Sequence, residues 1–403
     1  MLIVKKFGGS SVADRDKIFN VARRCIEDYE KGNDIVVVLS AMGHTTDELI
    51  AKAREISGNP PKRELDMLLA TGEQVSCALM SMAIHSLGVL SVSLNAMQVP
   101  MNTSSVHGSA KLEQIGTERI LNELKQRKIV IVTGFQGVNE NDDITTLGRG
   151  GSDTTAVALA AVLHADACEI YTDVDGVYTA DPRLVPNARK MNEVTYDEML
   201  ELASLGANVL HNRSVELAKK YGVKLTVRSS LTREEGTVVK ENVQADRMLV
   251  SGVAADKNTA RVSISGVRSE PGVAFRIFNC LAKNHINVDV IIQSLSQESK
   301  KNVSFTVART DLADALKVLN DNLEAFDGRA VEYDETVAKL SVIGEGMTSN
   351  SGVAARMFEA LGSVGANIQE IATSDIRITV LIDETDVDRA MCAVHDAFGL
   401  GQP

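Results

Sequence analysis

Little in this 403-residue chain is concentrated. Its five cysteines, Cys25, Cys77, Cys168, Cys280 and Cys392, are scattered. No CxxC pair or metal-ligand spacing joins them, so no metal site is expected. They read instead as buried thiols in a reducing compartment. No apolar run approaches the ~20 residues a membrane span needs. The chain starts at once on a strand-like run, Met1-Leu2-Ile3-Val4, with no leader ahead of it. A cytoplasmic protein with no membrane partner is expected. No Lys/Arg block offsets the net charge of −12, which argues against nucleic acid as a partner. A Walker A loop and a Ser-His-Asp arrangement are also missing. Any anion site must therefore be made positive locally.

What is present is an ordinary mixture, 44% hydrophobic and 24% charged, long enough for more than one domain. Leu2 to Phe7, Ile35 to Leu39, Val89 to Leu94, Ile129 to Thr133, Cys168 to Thr172 and Lys224 to Arg228 read as strands. Helical spacing appears over Ile18 to Tyr29, from a Thr45/Glu48 capping box, over Arg63 to Leu87 with a break near Gly72, near Leu112 to Gln126, from Asp153, over Tyr196 to Leu205 and over Ser214 to Tyr221. Phe135 to Gly151 reads as a long loop. Strands alternating with helices imply an α/β fold, a mainly parallel sheet sandwiched by helices. Ligands of such sheets bind at the carboxyl ends of the strands, where this chain has small and polar junctions.

The character changes after about Asn242. Ile264 to Asn287 and Val342 to Asn367 are similar at an offset of 80 residues: Val273-Ala274 matches Val353-Ala354, Phe278 matches Phe358, Leu281 matches Leu361 and Asn287 matches Asn367. Each copy reads strand, helix, strand, strand, helix. The first continues to a fourth strand, Arg329 to Tyr333, and the run Met248 to Ala254 is left over to complete the second. The divisions expected are 1–245, 260–335, and 248–256 together with 336–403. Such modules must cover their sheet edges, which favours pairing with each other or with a second subunit.

Two glycine-dense junctions stand out. Lys6-Phe7-Gly8-Gly9-Ser10-Ser11 ends a strand with a backbone able to approach a ligand closely. Leu147-Gly148-Arg149-Gly150-Gly151-Ser152-Asp153 opens a helix, whose unpaired amides attract anions. Glu73 sits in a mostly apolar helical stretch, and Thr172-Asp173 leads a turn-rich segment through Tyr178, Asp181 and Arg183.

Together with Thr45-Thr46-Asp47-Glu48-Leu49 and Thr71-Gly72-Glu73, these motifs resemble the aspartate kinases over essentially the whole length. The resemblance implies an amino-acid-kinase fold followed by two ferredoxin-like α/β ACT modules. It implies transfer of the ATP γ-phosphoryl group to the side chain of L-aspartate, with Mg²⁺ bound through the ATP phosphates. Lys6 and Asp153 would be catalytic. Lys6, Phe7, Gly8, Gly9, Ser40, Ser152, Thr172, Asp173, Tyr178, Asp181 and Arg183 would hold ATP. Thr46, Glu73, Arg149, Gly150, Gly151 and Ser152 would hold aspartate, with Glu73 against its ammonium. Lysine and threonine, singly or together, would bind as effectors at Ser269, Gly272, Ala274, Asn287, Asp289, Gln293, Val353, Ala354, Asn367, Ile368, Ser374 and Asp375. A homo-oligomer through the ACT modules is implied, as is association with a shorter ACT-only subunit. Where many relatives carry a nucleotide-associated lysine, this chain has Asn208. Other carboxylate kinases of the same fold, such as a glutamate kinase, and a catalytically weak amino-acid sensor stay open as alternatives. The chemistry fits the residues, because an ionised carboxylate is already a nucleophile and the obstacle is its repulsion from ATP.

Overall fold

The computed structural model describes residues 1–205, 209–242, 249–295, 300–347 and 350–402. Asn208 and Met248 lie outside the described residues. The chain forms two compact units. One comprises Met1–Val177 and Lys190–Ala245, the other Tyr178–Arg189 and Asp246–Pro403.

The first unit begins β1 (Leu2–Phe7), α1 (Arg15–Glu30), β2 (Asp34–Leu39), α2 (Thr45–Ile56), α3 (Lys62–Leu69) and α4 (Thr71–Ser86). It continues with β3 (Ser91–Leu94), β4 (Met101–Thr103), β5 (Leu112–Ile115), α5 (Glu118–Lys125), β6 (Ile129–Thr133), β7 (Gln136–Val138) and β8 (Ile144–Thr146). Then come α6 (Gly151–Val162), β9 (Ala167–Thr172), β10 (Glu193–Thr195), α7 (Tyr196–Ser204), α8 (Asn212–Tyr221), β11 (Leu225–Ser229) and β12 (Thr237–Lys240).

Eight strands form one sheet in the order β10-β12-β11-β9-β1-β2-β6-β3. Every pairing in it is parallel except β11 with β12. β2 and β6 are β-branched runs buried at nearly every position, as strands covered on both faces must be. On one face α1 and α4 pack Ile18, Val21, Cys25, Met80 and Ile84 against Ile3, Ile35 and Val37. α6 is buried from Gly151 through Ala160, and its alanines, threonines and glycine let it lie close to the strands.

Several local expectations give way. α6 starts at Gly151, two residues before Asp153, with Gly150 as its N-cap. The Thr45/Glu48 capping box does not form, since Thr45 is already helical and His44 is the cap. A capping box forms instead at Thr195 and Glu198. The stretch read as a helix from Leu112 begins as β5, and the loop read from Phe135 contains β7 and β8. These join β4 and β5 in a small second sheet, β5-β4-β7-β8, in which β7 pairs with β4. The 25-residue helical run Lys62–Ser86 is long and apolar enough to span a membrane by composition, but half of its apolar window is buried, as in a core helix. Cys25, Cys77 and Cys168 are buried free thiols, and Cys280 and Cys392 are partly buried.

The second unit holds β13 (Gly252–Asp256), β14 (Thr259–Arg268), α9 (Val273–Lys283), β15 (Ile291–Leu295), β16 (Lys300–Ala308), α10 (Leu312–Asp321) and β17 (Ala330–Asp334). It continues with β18 (Val337–Ile343), α11 (Val353–Ser363), β19 (Glu370–Thr373), β20 (Arg377–Asp383) and α12 (Val387–Ala397). Its two antiparallel sheets run β15-β16-β14-β17 and β19-β20-β18-β13. The repeated sequence thus gives repeated topology, with β13 taking in the second sheet the place that β17 takes in the first.

Tyr178–Arg189, expected within 1–245, packs in this second unit. Ala180 and Val185 are buried among Val250, Val253, Leu340, Val394 and Leu400. The Val253 amide donates to the Thr179 carbonyl (2.8 Å), and the Thr179 hydroxyl meets His395 Nε2 (3.0 Å). Truncating Val185 to alanine leaves a cavity in that core. Val185→Ala should lower unfolding stability by about 2 kcal/mol in urea denaturation. Hydrogen exchange should quicken in β13 and α12 but not in β1 or β2.

Candidate active site

Parallel pairing brings strand ends to one edge, and backbone hydrogen bonds tie those ends together. The Ser40 amide donates to the Phe7 carbonyl (3.2 Å), Gly134 to Leu39 (3.0 Å), Gly8 to Tyr171 (3.4 Å) and Ser230 to Thr172 (2.9 Å). The junctions after β1, β2, β6, β9 and β11 therefore stand in a row. Gly9 turns tightly over its neighbour: a β-carbon there would lie 2.7 Å from the Ala41 carbonyl oxygen. The Gly43 amide donates to the Gly9 carbonyl (3.0 Å), which locks the two junctions together.

Lys6 leaves β1 toward α6. Its Nζ lies 2.7 Å from Asp153 Oδ1, with both side chains about nine-tenths buried. Ser152 is buried beside Gly134 at the end of β6. Gly150, at φ +68°, is in the left-handed region that a side chain rarely tolerates, and the His211 ring fills the space a β-carbon would take. Arg149 beside it is exposed, with no partner among the described residues.

The base of this loop is braced from two sides. Arg213 donates to the carbonyls of Leu147 (2.7 Å) and Ala110 (3.2 Å). Asp66, 1% exposed, accepts from the Thr146 amide and hydroxyl and from the Gly108 amide.

Glu73 is buried at the start of α4. Its Oε1 accepts from the Ala41 amide (3.1 Å), while Oε2 is buried without a hydrogen-bond partner. Burial pushes this carboxyl up to about 7, against the opposing pull of the Ala41 amide. Ser76, one turn on, donates to the Ser40 carbonyl (2.8 Å). Thr46 is half-buried in the first turn of α2. The Thr172 hydroxyl donates to Asp173 (2.9 Å), and Asp173 is exposed.

The first unit thus gathers Lys6, Phe7, Gly8, Gly9, Ser40, Thr172 and Asp173 at neighbouring strand ends, with Gly150, Gly151, Ser152 and Asp153 where α6 begins. Tyr178, Asp181 and Arg183, expected to join them, lie in the second unit, where Arg183 pairs with Asp181 (2.7 Å).

In the repeats, Gly272 and Gly352 cap α9 and α11 in the left-handed conformation. Ser269, Ala274, Asn287, Gln293, Asn367, Ser374 and Asp375 are exposed, and Ala354 and Ile368 are half-buried. Val353 turns into the core of the second repeat, which leaves only its backbone for a ligand. Asp289, expected to await an effector ammonium, is already paired with Lys339 Nζ (2.6 Å), which also lies 3.3 Å from Asp256.

Residues 1–229 match the amino acid kinase family, and residues 262–323 and 340–398 match the ACT domain. The aspartokinase of Geobacillus stearothermophilus is 51% identical over 402 residues, covering 100% of this chain and 98% of that one. The chain belongs to the aspartokinase family. It is an ATP-dependent kinase acting on the carboxyl group of aspartate. Two crystal structures of E. coli aspartokinase III, each 27% identical and covering 98% of this chain and 99% of theirs, share its fold. The R-state complex with aspartate and ADP superposes with a TM-score of 0.84, and the T-state complex with lysine and aspartate with 0.78.

Sequence reading missed four aspartokinase residues that shape this edge: Asp66, Ser76, His211 and Arg213. Asp66 carried a signal, as a carboxylate on the inward face of an amphipathic helix. The others act through backbone carbonyls or ring packing, which leave no pattern in sequence. Burial lowers the His211 pKa, with Asp153 opposing, so the ring on Gly150 is neutral at pH 7.

The raised Glu73 pKa has a signed consequence. The folded state holds this proton more tightly than the unfolded chain, so stability is full below pH ~4.5 and falls as pH rises to about 7. Glu73→Gln should therefore gain stability relative to the parent over that interval, reaching about 3 kcal/mol by pH 8. Thermal melts across pH 4.5–8 without substrates check this, and parallel curves for the two proteins would contradict it.

Proposed function

We propose how this aspartokinase divides the work among its residues. The observation that carries the proposal is the Lys6–Asp153 pair beside the glycine turn, whose neighbour Ala41 donates to a buried, half-satisfied glutamate. The Gly8 and Gly9 turn, with Ser40, Ser152 and the start of α6, receives the ATP phosphates, and Thr172 and Asp173 lie along the nucleotide. Lys6 neutralises charge on the phosphoryl group in transit, and Asp153 holds the ammonium in place.

Arg149, exposed at the mouth, clamps a carboxylate of aspartate through its planar fork. Glu73 offers its unpartnered oxygen to the α-ammonium, an arrangement that restores the charge burial suppresses, and Thr46 completes that pocket. No general base is needed, since the attacking carboxylate is ionised at neutral pH. Catalysis is then positioning and neutralisation. Among the described residues no cluster of three or more His, Cys, Asp or Glu could hold a metal ion. A Mg²⁺ carried on the ATP phosphate oxygens would ask for few protein ligands. Asp153 is the carboxylate that would approach it, and the ion would supply further neutralisation.

The ACT modules take lysine, threonine or both as effectors, making the product an intermediate toward those amino acids. Support comes from the ACT match and from the lysine complex of the E. coli relative. Edge strands β15 and β19 carry the exposed Ile291 and Ile371, which suits pairing with a second copy of the chain. The five free thiols accord with a cytoplasmic setting.

A coupled ADP-release assay tests the site. Turnover with aspartate but not with glutamate or UMP is expected. Lys6→Ala and Arg149→Ala should each lose about 10²–10³-fold in kcat/KM while remaining folded, and near-normal rates in both would sink the assignment. Adding lysine, threonine and the two together to the same assay tests regulation. Inhibition by at least one mixture is expected, and none by any would remove the effector reading.

A further inference from the structure

Lys6 has a neighbour of the same kind with another fate. Successive strand residues face opposite sides of a sheet, so Lys5 points away from Asp153, toward α1. It is 0% exposed. Its Nζ lies 2.6 Å from Asp28 Oδ2 on α1, 2.7 Å from Glu169 Oε2 and 3.2 Å from the Tyr171 hydroxyl, both on β9. The Tyr171 hydroxyl donates to Glu169 Oε2 (2.8 Å), and Arg228 on β11 donates to Glu169 Oε1 (2.9 Å). Burial opposes the ammonium's charge, yet Tyr171, Glu169 and Asp28 outweigh it and hold its pKa above the ordinary lysine value.

A buried charge network is a poor way to gain stability alone, since well-packed apolar residues serve as well. What it does fix is geometry. The Tyr171 ring lies flat on Phe7, centroids 4.4 Å apart and planes at 10°. Arg24 packs over the same ring at 4.8 Å and donates to the carbonyls of Ser229, the last residue of β11, and of Thr232 beyond it. Phe7 immediately precedes Gly8-Gly9, Tyr171 immediately precedes Thr172-Asp173, and the Gly8 amide donates to the Tyr171 carbonyl.

We propose that Lys5 is a positioning residue for the nucleotide: by anchoring Tyr171, and through it Phe7, it sets the strand ends that cradle ATP without touching any substrate. This rests on the placing of the phosphates at Gly8-Gly9. Lys5 and Lys6 thus divide one strand end, the second meeting the phosphoryl group and the first holding the strand from behind.

The test is steady-state kinetics on the full chain, varying ATP and aspartate separately, with thermal melts alongside. Lys5→Met should lower kcat/KM for ATP by about 10-fold to 100-fold, the scale of a small misplacement, while the KM for aspartate stays within about twofold. Tyr171→Phe keeps the stacked ring and removes only the hydroxyl, so it should show the same split at smaller size with a near-parental melting temperature. A purely structural role would lower the melting temperature and leave both KM values and the kcat of the folded fraction alone. That result overturns the proposal, and Tyr171→Phe decides the matter if Lys5→Met does not fold. Lys6→Ala in the same series separates the two levels. Full activity there would refute the phosphate site itself, whereas loss there with unchanged ATP kinetics in the Lys5→Met and Tyr171→Phe variants refutes only the positioning role.

Discussion

Everything at the active edge depends on how closely one helix can approach a sheet. α6 carries glycine, serine, threonine, alanine and valine over its first two turns, all buried. Nothing large separates it from β1, and that is why a carboxylate on its first turn reaches a lysine near the end of the strand. The same closeness delivers the helix start, with its unpaired amides, to the place where the glycine turn ends. A bulky residue on that face would part the charges that the chemistry requires together.

Much of this was legible before the structure, and for a physical reason. Strands buried on both faces must be apolar throughout, so β1, β2 and β6 announce themselves. Glycines crowded by neighbouring backbone, such as Gly9, leave a mark because no other residue fits. The repeat was legible as well, since Gly272 and Gly352 cap equivalent helices in the same unusual conformation. Elements of three residues, such as β4, β7 and β8, show no period of their own. They exist because Asp66 and their mutual pairing hold them. Turn chemistry at Asp181-Pro182 gave no sign that Ala180 and Val185 belong to a different core. Asp289 looked available for a ligand because Lys339 is fifty positions away in sequence.

The two units use buried charge in the same manner. Lys5 is enclosed by carboxylates from a helix and a neighbouring strand, and Lys339 by Asp256 and Asp289. In each case a lysine joins elements that apolar packing alone would hold less specifically. Of the two carboxylates on Lys339, Asp289 is the one proposed to meet an effector's ammonium, and it is already paired.

The excursion of Tyr178–Arg189 bears on how such a protein can be taken apart. The chain crosses into the second unit after Val177 and returns at Lys190, long before the first unit is complete. The two units are therefore not beads on a string. A single cut near residue 246 strands a twelve-residue insert whose buried side chains have lost their partners. Cutting there would also expose Ala180 and Val185, which are buried among residues of the second unit.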